Sequence, residues 1–218
     1  MDEPSIAIGP EPQTAAAVAI FVHGRGRSPL EMRDLALSIG LPAVRYAMPA
    51  APGGSWYPES FLAPIEKNEP ALSRSLDQYA RLIDELIADG ASSENIVLCG
   101  FSQGACLTAE FLIRNPRRYG GALIFTGGLI GPPGTIWPVR PALHGMPVYL
   151  TGSLVDEWVP VSRVEETGRV LRDSGAEVDI KIFKERPHLV CEEEIASARI
   201  LLSAIARQRS PERMTARH

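Results

Sequence analysis

Hydrophobic positions along the chain follow two alternating patterns. Short apolar or mostly apolar runs occupy residues 15–22 (AAAVAIFV), 43–48, 95–100, 122–126 and 147–151. Runs of that length, bounded by turn residues, read as strands buried on both faces of a parallel sheet. Residues 177–183 (EVDIKIF) add a further strand. Between the runs, apolar residues recur every three or four positions, the helical period. In residues 71–89, Leu72, Leu76, Tyr79, Ile83, Leu86 and Ile87 share one face, and Gly90 marks the stop. Ser28-Pro29-Leu30-Glu31 offers an N-cap, a first-turn proline and a capping-box Glu for a helix ending at Gly40. Further helices are predicted over 103–114, stopped by Asn115-Pro116, over 162–174 and over 190–206. Strand and helix alternate throughout, which predicts an α/β fold: a mostly parallel central sheet with helices on both faces. Chemistry in such folds gathers at the C-terminal ends of the strands.

Residues 1–14 read as an acidic, proline-studded lead, 15–206 as a single domain with no separate lid domain, and 207–218 as a polar tail. The 218-residue length suits one domain, and 45% hydrophobic with 22% charged residues excludes disordered and collagen-like classes. A formal charge of −4 leaves no basic footprint, so no nucleic-acid partner is expected. No apolar stretch reaches the length of a membrane span. The first residues carry neither a basic n-region nor an apolar core, so the expected setting is cytoplasmic. Cys99, Cys106 and Cys191 form no CxxC pair, and neither a disulfide framework, a metal site nor a cofactor is expected. The 19 glycines and 19 prolines concentrate partly in 49–70 and 127–145, where no period holds. Long irregular stretches inside a compact chain are usually functional or mobile.

Candidate chemistry centres on Gly100-Phe101-Ser102-Gln103-Gly104, a G-x-S-x-G pattern. Taken alone the match is modest, but the strand NIVLC enters it and the helix QGACLTAEFLIR leaves it. A sharp strand-to-helix turn exposes the serine hydroxyl, and glycines on both sides relieve crowding. A serine nucleophile needs a base. Of the histidines at 23, 144, 188 and 218, His144 precedes a strand and His218 ends the chain. His23 ends the first strand, where the following Gly24-Arg25-Gly26 suggests a backbone role. His188, in the loop after the last strand, is the favoured base. Asp156, in the loop TGSLVDEWVP, is the carboxylate expected to orient it, with Glu157 the adjacent competitor. The resulting order Ser102, Asp156, His188 is the order of α/β-hydrolases. Cys106 reads as a redox-sensitive thiol or a buried small hydrophobe. Arg25 and Arg27 either draw an anionic substrate or are solvated. Trp56, Tyr57, Phe61 and Trp158 either anchor loops or line an apolar acyl pocket.

With these residues in hand, the chain resembles the phospholipase/carboxylesterase family of α/β-hydrolases, which includes bacterial carboxylesterases and acyl-protein thioesterases. FVHGRG is similar to the family's first-strand His-Gly motif, GFSQG to its nucleophile elbow, and the Asp156 segment ends in Val159-Pro160 as the family's does. MPAAPGGSWYP resembles the segment lining the substrate cleft. The resemblance implies that the backbone N–H groups of Arg25 and Gln103 form an oxyanion hole. It further implies a serine carboxylesterase for small to medium esters, with an acyl-protein thioesterase or lysophospholipase as the alternative. A hydrolase fold that only binds a small ligand is the alternative of another class. The implied partner is a small-molecule ester or thioester, and a weak homodimer is expected from the apolar cleft.

Overall fold

The computed structural model describes residues 4–208. Seven strands form one sheet: β1 (Ile6–Ile8), β2 (Ala17–Val22), β3 (Val44–Met48), β4 (Ile96–Phe101), β5 (Gly121–Phe125), β6 (Pro147–Ser153) and β7 (Glu177–Phe183). Their order across the sheet is β1-β3-β2-β4-β5-β6-β7, and every neighbouring pair is parallel except β1 with β3. The helices are α1 (Pro29–Ile39), α2 (Ala71–Ala88), α3 (Gln103–Arg114), α4 (Val161–Asp173) and α5 (Glu192–Gln208).

Strand alternation sorts side chains into two cores. Val18, Ile20 and Val22 face the layer formed by α2, α3 and α4, whereas Ala17, Ala19 and Phe21 face α1 and α5. Both faces are therefore covered, which explains why β2, β4 and β5 read as unbroken apolar runs. The apolar stripe of α2 is buried as its spacing predicts, through Leu72, Leu76, Tyr79, Ile83 and Leu86. Each such side chain is worth roughly 1.5–3 kcal/mol on burial.

Three expectations change. Part of the lead is not a bystander: β1 pairs antiparallel with β3, Ile6 opposite Met48 and Ile8 opposite Tyr46, and forms one edge of the sheet. A three-residue strand is too short to show a period, so the sequence pattern missed it. The capping box at α1 does not form, because Ser28 makes no side-chain cap and Glu31 pairs with Arg27 at 3.0 Å instead. Gly40 does end that helix, in the left-handed conformation at φ 70°. The closing helix runs from Glu192 to Gln208 rather than 190–206, and the rest of the predicted tail, with His218, lies outside the described residues. The 49–70 and 127–145 stretches carry only single 3₁₀ turns, at Pro52–Gly54, Ile65–Lys67 and Pro141–Leu143.

Candidate active site

Ser102 sits between β4 and α3 with φ 55°, a conformation that L-residues other than glycine rarely adopt. The turn closes only because its flanks lack side chains. A Cβ at Gly104 would lie 2.1 Å from the Val22 carbonyl oxygen, and one at Gly100 would lie 2.3 Å from that of Gly104. Glycine thus lets α3 press directly onto β4 and β2, which lifts the serine out at the sheet's C-terminal edge.

Three separate loops meet there. Ser102 Oγ lies 2.8 Å from His188 Nε2, and His188 Nδ1 lies 2.7 Å from Asp156 Oδ2. The other carboxylate oxygen, Oδ1, accepts the N–H groups of Trp158 and Val159, each at 2.9 Å. The Asp156 side chain is fully out of solvent, whereas its competitor Glu157 is exposed. Burial works to raise the Asp156 pKa. Hydrogen bonds from His188 and from the Val159 and Trp158 amides outweigh that cost, so the carboxyl is held below its ordinary value. An ionised Asp156 can only accept, so Nδ1 carries the imidazole proton and Nε2 is left to accept from the Ser102 hydroxyl.

Around this line the structure places the remaining candidates. Among the described residues, nothing accepts from the amides of Arg25 and Gln103, while their neighbours are committed: Gly26 donates to Gly54, Arg27 to Gly24, and Ser102 to Phe125. His144 is exposed at the far end of the sheet. His23 is buried, accepts the Ala51 N–H at Nε2, and takes the Trp56 indole N–H on its carbonyl at 2.8 Å. Arg25 is exposed and lines the cleft, but its guanidinium is committed: it donates to the carbonyls of Pro58 and Glu59 and lies 5.9 Å from the Tyr57 ring centroid. Arg27 pairs with Glu31 and packs over Phe101, whose ring stands 5.0 Å from that of His188.

A cleft of about 500 Å³ opens beside Ser102, walled by Tyr57, Phe61, Val159 and Trp158, with Cys106 beneath and Arg25 and Arg27 at one side. Trp56 is a correction. It is buried and stands behind the wall, holding the loop to the core through its indole and through Ser75 Oγ, which donates to its carbonyl at 2.6 Å. Large apolar side chains in an irregular loop look alike in sequence whether they face a cleft or the core behind it. Burial raises the Cys106 thiol to about 12, so it remains a neutral, space-filling group and the redox reading loses its thiolate.

One contribution went unread in the sequence. The Gln103 side chain accepts the Trp56 N–H at 3.0 Å and donates to the Tyr57 carbonyl at 2.8 Å, tying the cleft wall to the elbow. A glutamine beside a candidate nucleophile gives no sequence signal for a partner some 47 positions away.

The arrangement has close parallels. The family model for phospholipase/carboxylesterase matches residues 3–205. A rice (Oryza sativa subsp. japonica) protein named as a probable carboxylesterase is 25% identical over 86% of this chain and 79% of its own. Acyl-protein thioesterase 1 of Eremothecium gossypii is 30% identical over 75% of this chain and 76% of its own. The crystal structure of a phospholipase/carboxylesterase from Dyadobacter fermentans superposes with a TM-score of 0.86 at 36% identity, covering 92% of this chain and 96% of that one. The chain belongs to the phospholipase/carboxylesterase family of α/β-hydrolases and is an enzyme that hydrolyses carboxylic esters.

Proposed function

We propose that Ser102, His188 and Asp156 act as the catalytic triad of a serine carboxylesterase that turns over small to medium esters through an acyl-enzyme. The observation that carries this reading is the continuous line from Ser102 Oγ through both imidazole nitrogens to a buried carboxylate, at 2.8 and 2.7 Å. Ser102 Oγ attacks the ester carbonyl while its proton passes to His188 Nε2. The tetrahedral oxygen, now negative, takes hydrogen bonds from the Arg25 and Gln103 amides, the second of which opens α3 where the helix dipole adds positive potential. Collapse expels the alcohol, which takes the proton back from Nε2. A water then attacks the acyl-serine, with His188 again receiving and returning the proton, and the carboxylic acid leaves.

The cleft supports an ester whose acyl chain lies along Tyr57, Phe61 and Val159. A second reading, hydrolysis of longer acyl thioesters as in an acyl-protein thioesterase, draws on the similarity to the Eremothecium gossypii protein and on the exposed Trp158, which extends the apolar wall outward. The three free cysteines fit a cytoplasmic setting. No helix among the described residues is long and apolar enough to cross a membrane.

A fluorophosphonate probe should label the parent protein covalently and leave Ser102→Ala unlabelled, with p-nitrophenyl butyrate hydrolysis falling by roughly four to six orders of magnitude. Unchanged hydrolysis in Ser102→Ala sinks the assignment. Comparing short p-nitrophenyl esters with long-chain acyl thioesters separates the two substrate readings.

A further inference from the structure

Behind the triad, four buried polar side chains close a ring that the hydrolytic mechanism does not use. Thr126, just past β5, donates its backbone N–H to Thr151 Oγ1 at 3.0 Å. The Thr151 hydroxyl, on β6, donates to Glu194 Oε1 at 2.6 Å. Glu194 Oε2, on α5, lies 3.5 Å from Arg186 Nε. Arg186 Nη2 returns to Thr126 Oγ1 at 2.5 Å. Thr126, Thr151 and Glu194 are wholly buried, and Arg186 is 6% exposed. Arg186 Nε makes no hydrogen bond, so the Glu194 link is an ion pair alone, while both Nη atoms of Arg186 and both oxygens of Glu194 are engaged. A carboxylate and a guanidinium this far from water hold their places through such partners.

What the ring holds gives it a purpose. Arg186 Nη1 donates to the carbonyls of Pro187 and Leu189, the residues on either side of His188. Ser153 Oγ grips the Arg186 carbonyl at 2.6 Å, and the second Glu194 oxygen takes the Cys191 N–H at 2.8 Å. At the other end, Thr126 has φ 54°, a conformation that a β-branched residue adopts only under constraint from its surroundings. Its neighbour Phe125 accepts the Ser102 N–H at 3.0 Å. One closed circuit therefore links the backbone of the nucleophile turn to the backbone flanking the base.

We infer that the Thr126–Thr151–Glu194–Arg186 ring is a positioning unit that sets the His188 imidazole at proton-transfer distance from Ser102. It rests on the reading of His188 as the base. None of the four side chains need touch substrate; they act through the His188 loop. Displacing a base by a fraction of an ångström lowers turnover more than it lowers ground-state binding.

The test uses the full chain with Thr151→Val, Thr151→Ser and Glu194→Gln. Thr151→Val keeps the side-chain size, so it is expected to fold, but leaves the Thr126 N–H without its acceptor and Glu194 Oε1 without its donor. Its kcat on p-nitrophenyl butyrate should fall about tenfold or more, with KM within about twofold. Thr151→Ser keeps the hydroxyl and should stay within about threefold of the parent. Glu194→Gln should resemble Thr151→Val or be worse. The far-downfield proton resonance of the His188–Asp156 hydrogen bond supplies a readout without turnover, and it should broaden or shift in Thr151→Val but not in Thr151→Ser. A parent that shows this resonance yet hydrolyses no ester would refute the esterase reading, while the resonance still decides the ring. The ring is overturned as a positioning unit if Thr151→Val and Glu194→Gln lose melting temperature yet keep both parental kcat and the parental resonance, or if Thr151→Ser is as slow as Thr151→Val.

Discussion

Asp156 shows how a single residue's surroundings decide the chemistry of its neighbour. Its pKa is lowered in the folded protein, so its stabilising contribution is complete above the unfolded carboxyl value of about 3.9 and is lost only as pH falls through the lower folded value. Near neutrality and down to mild acid the carboxylate therefore stays charged, so an acid loss of activity in that range does not come from Asp156. A single descending limb on acidification is expected in kcat/KM for p-nitrophenyl butyrate, without loss of near-ultraviolet circular dichroism. A rate that stays flat as the pH falls into mild acid, with chemistry limiting, counts against a general base in the site. Asp156→Asn should keep the fold and lower kcat by roughly 10⁴-fold, because an amide no longer enforces the proton on Nδ1. That Ser102, Asp156 and His188 come together was legible in sequence because each follows a strand in a recognisable order. Glu194 and Arg186 were not. A charged residue in an amphipathic helix or a loop looks solvated until the sheet edge that buries it is known.

Elements were read better than their connections. The helix at 103–114 and the strand at 177–183 have the predicted bounds, since each is set by strong local signals: the elbow and Asn115-Pro116 for one, glycine and proline punctuation for the other. β1 was invisible for want of length, and the wall loop after β3 had no period to read. That loop is ordered by partners far along the chain, Gln103 holding Trp56 and Tyr57 and Arg25 holding Pro58 and Glu59, and by one within it, Asn68 Oδ1 accepting the Glu59 N–H at 2.8 Å. Gln103→Leu, which leaves the backbone amide in place, should free the wall and raise KM several-fold with a smaller change in kcat. Equal losses in kcat and kcat/KM would instead assign the side chain to the transition state. At the elbow itself the tolerance is lower still. Gly104→Ala would force a methyl to within 2.1 Å of the Val22 oxygen, so α3 must move off β2. A loss of stability at or above the roughly 1–3 kcal/mol of ordinary overpacking is expected in urea denaturation, together with loss of fluorophosphonate labelling. A fully stable and reactive Gly104→Ala would contradict the close approach.

The whole molecule limits substrate by what surrounds the elbow. An α/β core fills most of the chain, and the walls of the cleft come from loops of the same domain: the 57–61 segment and the Asp156 loop, with Trp158 69% exposed at the mouth. On the proposed reading, a cleft of about 500 Å³ would shelter part of an acyl chain and leave any longer chain in water. Each methylene removed from water is worth about 0.8 kcal/mol, close to a fourfold change in kcat/KM when the gain is expressed in the transition state. In a series of p-nitrophenyl esters from acetate upward, kcat/KM should therefore climb by about threefold to fourfold per methylene while the chain runs along Tyr57, Phe61 and Val159, then level off once it passes Trp158. Trp158→Ala removes only the outermost contact, so it should bring the plateau to shorter chains and leave acetate unaffected. A series that keeps climbing through long-chain acyl thioesters, without a plateau, would favour the thioesterase reading and require a groove beyond the cleft.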